Sequence, residues 1–462
     1  MTPQTDTAET LFYKANELMG KGEFAAAEQA FRLALVLEPD LAEIHANLAW
    51  LLEQQKRYAE AEQCYRQALL LAPWQLQILS NFAVMLAALK RFDEAEALYR
   101  QALLIDDDAV SVWSNLGVLL ACTWREDEAE KCYRRSLELA PGYRKAAFNL
   151  AYLLLRQGRY EEGWQRLESR DGVEPLEKEL RETPEIDCWQ GQDLTGKSIL
   201  ICFEAGHGDM LQFCRYASLL KKRGASRVSI HCHPGLKTLM TGLDGVDDAI
   251  ALGEAITLGN WHYWVALYSL PRLFMTRIDT IPGDLPYLSV ASGKILHWAG
   301  ETAIAGNALR VGLVWKGNPN FENDADRSML SLRELAMLGE VPGVQFFSLQ
   351  KGAGEAEARN PPAPLSLADL APGITDFSDT AAIILNLDLV IAVDTAVVHL
   401  AGALGKPCWV MLPAYRQDWR WLKDRQDSPW YPGVMRIFRQ TSAGDWSTVV
   451  AEIKMALVQL KT

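Results

Sequence analysis

Small and aromatic residues in the first third of the chain recur every 34 positions. Ala27, Ala61, Ala95, Ala129 and Gly163 form one column. Phe31, Tyr65, Tyr99 and Tyr133 form a second, and Phe24, Tyr58, Phe92 and Tyr160 a third. Pro39, Pro73 and Pro141 mark a fourth, with Asp107 on the missing rung. Independent columns in one register predict a repeated helix–turn–helix unit. Two amphipathic helices cannot bury their shared face alone, so neighbouring units must stack. Small residues then allow close helix crossing, and the aromatics fill the space between units. Each proline ends a second helix, because it has no N–H to donate and its ring clashes with the preceding turn. Five units fit between Thr7 and Arg170, the last of them degenerate.

These columns resemble the tetratricopeptide repeat. One column is polar: Asn47, Asn81, Asn115 and Asn149, with Tyr13 at the equivalent place in the first unit. In the repeat it falls on the first helix of each pair, which lines the concave surface. An amide both donates and accepts, so a row of amides can hold an extended peptide backbone whatever its sequence. Alternatively, each Asn bonds a neighbouring helix and sets the superhelical pitch. Helix-interior Asn has poor propensity and needs one reason or the other. Similar asparagine ladders hold acceptor polypeptide in the repeat half of O-GlcNAc transferases, and that resemblance favours binding.

After Arg170 the period changes. Asp171 to Gly196 reads as a linker with a short helix. Strands are then predicted at 198–203, 228–232, 311–315, 344–349, 389–393, 408–412 and 435–438, with helices between most of them. Alternation of this kind builds open parallel sheets. The expected organisation is a repeat solenoid over 7–170, a linker over 171–196, and two Rossmann-like α/β domains over 197–300 and 308–462, the last helix of the second crossing back to the first. Two such domains facing one cleft is the GT-B arrangement. In open α/β sheets ligands bind beyond the carboxyl ends of the strands. Here those ends carry Glu204 to Asp209, Lys316 to Asn318, Gln350-Lys351 and Asp394-Thr395. Asp394-Thr395 opens a helix with His399 one turn on, where exposed N–H groups and the helix dipole favour phosphate; alternatively, Asp394 caps the helix and His399 packs under it.

Composition narrows the classes of function. A chain of 462 residues exceeds one compact core and suggests roughly two to four domains. The formal charge of −13 lacks long like-charge blocks, which speaks against a nucleic-acid or anionic-membrane binder. The first ten residues have neither basic nor apolar signal-peptide regions. The most apolar stretch, Ala381 to Val398, is interrupted by Asn386, Asp388 and Asp394, so no membrane span is expected. Eight scattered cysteines without a CxxC pair read as reduced thiols, and a cytoplasmic location is expected. A homo-oligomer is left open.

The stretch Asp394-Thr-Ala-Val-Val-His399-Leu-Ala-Gly-Ala-Leu-Gly-Lys-Pro407 resembles the donor-site signature of heptosyltransferase-type glycosyltransferases (family 9, GT-B fold). Gly208-Asp209 is similar to the start of that family's first helix. The strings EAGHGDMLQFCRY, GLVWKGNPNFENDADRS and DWRWLKDRQDSPWYP resemble bacterial proteins that fuse such a domain to tetratricopeptide repeats, several of them implicated in glycosylating proteins, flagellins included. The resemblance implies a nucleotide-sugar as substrate, with no resident cofactor. It makes Asp209 the general base, with the helix N-cap as its bland alternative and His207 as the rival base. It also implies that Lys316, Asn318, Arg327 and Ser328 hold donor phosphate opposite Asp394, Thr395 and His399, with Gln350, Asp418 and Trp419 at the base or sugar. The loop between Asn318 and Arg327 and the tryptophan-rich loop (Trp419, Trp421, Trp430) depart from heptosyltransferases, so ADP-heptose is not assumed.

Other motifs fail. Gly206-x-Gly208 lacks the third glycine of a dinucleotide fingerprint, Leu211 standing there, and Gly405-Lys406 lacks the first glycine of a P-loop. His231 and His233 alternate on a strand without a third metal ligand nearby. Asp324-Ala-Asp326 is an isolated DxD, and no metal requirement is expected. The leading expectation is an inverting, metal-independent glycosyltransferase acting on a hydroxyl of a protein held by the repeats. The alternatives are an enzyme acting on a saccharide or lipid-linked glycan, with the repeats recruiting partners, and an inactive scaffold.

Overall fold

The computed structural model describes residues 7–170, 175–183, 186–304 and 306–461. Parts of the 171–196 linker therefore lie outside the described residues. The chain forms two compact units, one ending at Leu150 and the other beginning at Ala151.

The first unit is a row of antiparallel helix pairs: α1 Ala8–Gly20 with α2 Phe24–Leu37, α3 Ala42–Gln54 with α4 Tyr58–Leu71, α5 Leu76–Ala88 with α6 Phe92–Ile105, and α7 Val110–Cys122 with α8 Glu126–Leu139. Ala27, Ala61, Ala95 and Ala129 are fully buried at the crossings, and Phe31, Tyr65, Tyr99 and Tyr133 fill the interior beside them. Gly117 shows how tight the packing is. A Cβ there would lie 2.6 Å from the Tyr133 ring.

Two further 34-residue columns emerge in three dimensions. One is an ionic lattice on the second helices. Arg57 pairs with Glu28 and Glu60 at 2.7 Å, and Arg32 bonds the same two carboxylates at 2.8 and 3.2 Å. The quartet recurs at Arg91, Glu62, Glu94 and Arg66, and again at Arg125, Glu96, Glu128 and Arg100. Exposed pairs contribute little singly, but each quartet ties one repeat to the next and so fixes register. The other column is the turn inside each pair, where Gly22, Lys56, Lys90 and Trp124 all have left-handed backbone (φ 77, 60, 61 and 62°). Glycine, with no Cβ to crowd the following carbonyl, adopts that conformation without strain, whereas the other residues here do not. Lys56→Gly should therefore stabilise the repeats by about 0.5–1 kcal/mol, read as a higher denaturation midpoint.

The second unit starts with the rest of α9 (Arg144–Arg156) and with α10 (Tyr160–Leu167). The repeat region therefore does not end as a separate body at 170. Tyr160 and Trp164 of the degenerate fifth unit are each 2% exposed and pack with Phe213, Trp419 and Trp430. The Trp430 indole donates to the Tyr160 hydroxyl at 3.1 Å, and the Trp164 indole to the Thr276 carbonyl at 3.0 Å. Arg170 and Glu204 form a buried ion pair at 2.7 Å that binds the end of this segment to the end of a core strand.

Two parallel sheets follow. The first contains β1 Asp187–Cys188, β2 Ser198–Cys202, β3 Arg227–Cys232, β4 Asp248–Ala251 and β5 Tyr263–Ala266, in the order β1-β5-β2-β3-β4. The second contains β6 Leu309–Val314, β7 Val344–Ser348, β8 Leu367–Asp369, β9 Leu389–Val393, β10 Cys408–Leu412 and β11 Met435–Arg439, in the order β11-β10-β9-β6-β7-β8. β1 comes from the stretch read as linker, and pairs with β5 through Asp187↔Tyr263 and Cys188↔Trp264. Two boundaries also change. Helix Ser292–Glu301, assigned to the first domain, is bound to the second: Lys294 donates to Asp379 (2.8 Å) and Ser378 (2.6 Å), and Asn386 to the Ile295 carbonyl (2.9 Å). The final helix, Trp446–Lys461, does not cross back. Its Trp446, Val449, Val450, Ile453 and Leu457 join the core beneath β6, β9 and β10. Among the described residues no helix is long and apolar enough to cross a membrane.

Candidate functional site

In each sheet the strand order reverses once. In the first, the chain runs outward from β2 through β3 to β4, then returns to the other side at β5. In the second, it runs from β6 through β7 to β8, then returns at β9. Loops leaving the two strands at such a point diverge and leave a crevice. The ends of β2 and β5 carry Glu204 to Asp209 and Tyr268, and those of β6 and β9 carry Trp315-Lys316 and Asp394-Thr395. The two crevices meet through helices His207–Phe213 and Ala396–Ala403. A Cβ on Gly208 would lie 2.8 Å from His399 Cδ2 and 3.6 Å from Ala396 Cα, so only glycine permits this approach. Gly208→Ala should push the helices apart at a cost of about 1–3 kcal/mol, and should reduce activity and melting temperature together.

Asp209 lies at the third position of its helix, not at the N-cap, which is Gly206. Its Oδ2 accepts the Gly206 N–H at 2.7 Å, and its Oδ1 accepts from the Arg420 guanidinium. Capping and ion pairing thus occupy one lone pair on each oxygen, and the carboxylate stays partly exposed. His207 opens the same helix, its ring 4.1 Å from that of His233 and 5.2 Å from that of Phe377. Burial and the neighbouring His233 lower it to about 4, so it is neutral near pH 7 and no stronger a base than a carboxylate.

On the opposite side, Thr395 stands at the N-cap of its helix with extended backbone but caps nothing. Its Oγ1 is buried with no partner among the described residues. An orphaned hydroxyl beside the unsatisfied N–H groups of a helix start is a donor set suited to an anion. Burial and the neighbouring Asp418 raise Asp394 to about 6. His399 is 5% exposed, sits 2.9 Å through Nδ1 from the Tyr431 hydroxyl, and stacks on Trp421 at 5.5 Å. Burial and the cations Arg420, Arg215 and Arg327 keep it neutral. A neutral imidazole here is a hydrogen-bonding group and packing surface, not a charge.

The expected phosphate cations are both engaged. Lys316 pairs with Glu357 at 2.7 Å, and Arg327 with Asp324 at 3.3 Å while covering the Phe321 ring at 4.3 Å. Ser328 accepts from the Gly317 N–H and donates to Asp324, both at 2.8 Å. The DxD aspartate thus organises this loop. Asn318 is exposed and turns the chain by accepting the Asn320 N–H at 3.0 Å.

Two expectations fail. Gln350 does not face a base or sugar: it is 1% exposed, its Oε1 accepts from the Trp315 and Lys316 N–H groups, and its Nε2 donates to the carbonyls of Lys316, Lys351 and Ala353. It splices the ends of β6 and β7. Trp419 is 1% exposed in the aromatic cluster and offers no face for stacking, and Trp421 and Trp430 are fully buried. Asp418 caps the turn by accepting the Arg420 N–H at 3.0 Å and pairs with the Arg420 side chain at 2.9 Å. Arg420 itself escaped sequence reasoning, although it lies inside the quoted DWRW string. Gln212 and Tyr268, which meet it, escaped too.

The asparagine column divides. Asn47 donates to Asn16 of the preceding pair at 2.9 Å, as the pitch-setting alternative requires, and Asn81 accepts from Gln77 at 2.7 Å. Asn115 and Asn149 are half-buried and make no side-chain hydrogen bond within the described residues. Among the described residues no three His, Cys, Asp or Glu side chains converge as a metal site.

Known proteins show matching segments. Residues 42–74 match the tetratricopeptide repeat, residues 79–178 the middle TPR-like domain of cilia and flagella-associated protein 70, and residues 333–411 glycosyltransferase family 9 (heptosyltransferase). Protein FlbA of Caulobacter vibrioides (strain ATCC 19089 / CIP 103742 / CB 15) is 29% identical over 332 residues, 67% of this chain and 54% of that protein. The chain thus spans about half the length of that relative. Among solved structures, Pseudomonas aeruginosa pilF is 22% identical over 37% of this chain and 79% of its own (TM-score 0.34). MamA from Desulfovibrio magneticus RS-1 is 14% identical over 36% of this chain and 97% of its own (TM-score 0.33). The chain therefore joins tetratricopeptide repeats to a two-sheet region containing a segment similar to glycosyltransferase family 9 (heptosyltransferase).

Proposed function

We propose that this chain is an inverting glycosyltransferase of GT-B type that moves a sugar from a nucleotide-sugar to a Ser or Thr hydroxyl of a protein, flagellin being the first candidate. One observation carries the reading. The two reversal points are brought together by the Gly208–His399 contact, so that a fixed, partly exposed carboxylate and an orphaned helix-start hydroxyl begin neighbouring helices.

In this reading the Asp209 carboxylate takes the proton from the acceptor hydroxyl as its oxygen bonds the anomeric carbon. The bond from that carbon to the nucleotide phosphate breaks, and the nucleotide leaves with the electron pair. Thr395, its helix N-terminus, Lys316 and Arg327 stabilise the departing charge, no metal being needed. Donor phosphate displaces Glu357 and Asp324 from the two cations. Asp394 carries a proton below about 6, so nucleotide binding should tighten as pH falls through that value, measured by calorimetry. The unengaged amides of Asn115 and Asn149 make them the best candidates for gripping acceptor backbone.

The test incubates the full chain with flagellin and a panel of UDP-, GDP-, ADP-, dTDP- and CMP-sugars, with product read by mass spectrometry. Asn115→Ala with Asn149→Ala should raise KM for the protein acceptor and leave donor hydrolysis unchanged. Equal loss of both activities removes the acceptor role. Absence of transfer and of any nucleotide-induced thermal shift favours an inactive scaffold.

A further inference from the structure

We infer that Arg420 is a positioning residue for transfer, the group that sets the orientation of the Asp209 carboxylate from the opposite lobe. The inference rests on the reading of Asp209 as the base.

Arg420 is 5% exposed, and every arm of its guanidinium is committed. Nη1 donates to both oxygens of Asp418, each at 2.9 Å. Nε donates to Gln212 Oε1, and Nη2 to Asp209 Oδ1 and, at 3.2 Å, to the Tyr268 hydroxyl. Its Cζ lies 4.6 Å from the centre of the Trp419 ring. Asp418 and Trp419 belong to the loop after β10, whereas Asp209, Gln212 and Tyr268 belong to the switch point of the first sheet.

This geometry determines a direction. A guanidinium is planar, so anchoring Nη1 and Nε and stacking one face leave Nη2 one place to point. Asp209 is then held from two sides, Oδ2 by its own helix start and Oδ1 by Arg420. The lone pairs left by those two bonds and by the adjacent Tyr268 hydroxyl are aimed by them. A misplacement of about 1 Å at a reacting group can cost about 100-fold in rate. The buried tryptophans acquire a purpose here: Trp419, which the resemblance placed at the base or sugar, is with its neighbours the rigid wall against which Arg420 is set. Asp418 likewise holds Arg420, so it acts on the site through the guanidinium.

The experiment uses the full chain with the donor–flagellin pair that gives product in the panel above. Arg420→Ala should lower kcat by about 100-fold while both KM values stay within about threefold. Millimolar guanidinium should restore part of the lost kcat in Arg420→Ala and none in Asp209→Asn. Arg420→Lys, which keeps the charge but loses the fork, should remain well below the unaltered chain. A rise in KM with kcat retained would overturn positioning in favour of substrate binding. Loss of kcat without guanidinium rescue, in step with a lowered melting temperature, would reduce Arg420 to a structural tie. Near-normal turnover of Asp209→Asn would remove the base, and this inference with it. A dead Asp209→Asn beside a fully active Arg420→Ala would overturn the inference alone.

Discussion

Asp209→Asn is expected to lower kcat for transfer to protein by about 10²–10⁴-fold, the range contributed by a positioned general base. Asparagine keeps the shape of the side chain, and its carbonyl oxygen can still accept the Gly206 N–H that starts the helix. The change therefore removes proton-accepting capacity and turns the amide NH2, a donor, toward Arg420 in place of Oδ1, while the helix start is kept. It also removes the negative charge facing Arg420, which retains Asp418 as its counter-ion. Nucleotide binding, which the reading assigns to the opposite helix start, should be unchanged by calorimetry. His207 is the rival, and it predicts otherwise. If its imidazole were the base, Asp209→Asn would leave turnover near normal and His207→Gln would abolish it.

Arg170→Met should destabilise the second unit by about 3–5 kcal/mol, the usual consequence of removing one partner of a buried ion pair. Glu204 is 5% exposed and, among the described residues, would be left with only the Tyr268 N–H, at 2.9 Å, to compensate its charge. Burial already raises the Glu204 carboxyl above its ordinary range despite Arg170. Without the arginine it must rise further. A carboxyl raised in the folded state binds its proton more tightly there than in the unfolded chain, so stability is greatest at low pH and falls as pH rises through the folded value. The variant should therefore recover stability between neutral pH and pH 5, read as a rising denaturation midpoint. Loss independent of pH would show that Arg170 acts through packing instead.

The repeats were legible because their cause is local and iterated. Each column, whether Ala27 to Ala129 or Phe31 to Tyr133, meets the same neighbours in every unit, so one explanation serves every rung. The ionic quartets and the left-handed turns share the period, but are built from charged or varied residues, which carry no apolar periodicity. Core strands were legible from continuous apolar runs such as LVIAV in β9. β1, β4, β5 and β8 were not: β1, β4 and β8 lie at sheet edges and are short and polar, while β5 is interior but only four residues long. At the site, the residues at strand ends were found from topology alone. Their occupancy was not: Gln350 and Trp419 are of ligand-contacting types, yet their groups are consumed inside the protein.

The sequence by itself determined the repeat, its register, the two parallel sheets and the strand ends at which the candidate site lies, because periodicity and apolar runs record contacts close along the chain. Tertiary structure alone decided that the fifth repeat is built into the transferase-like unit, that Asn47 is spent on Asn16 while Asn115 is not, and that Asp209 answers to Arg420. Those facts depend on partners far apart in sequence, 211 residues in the last case, and a residue's type does not record which distant group folding will bring to it.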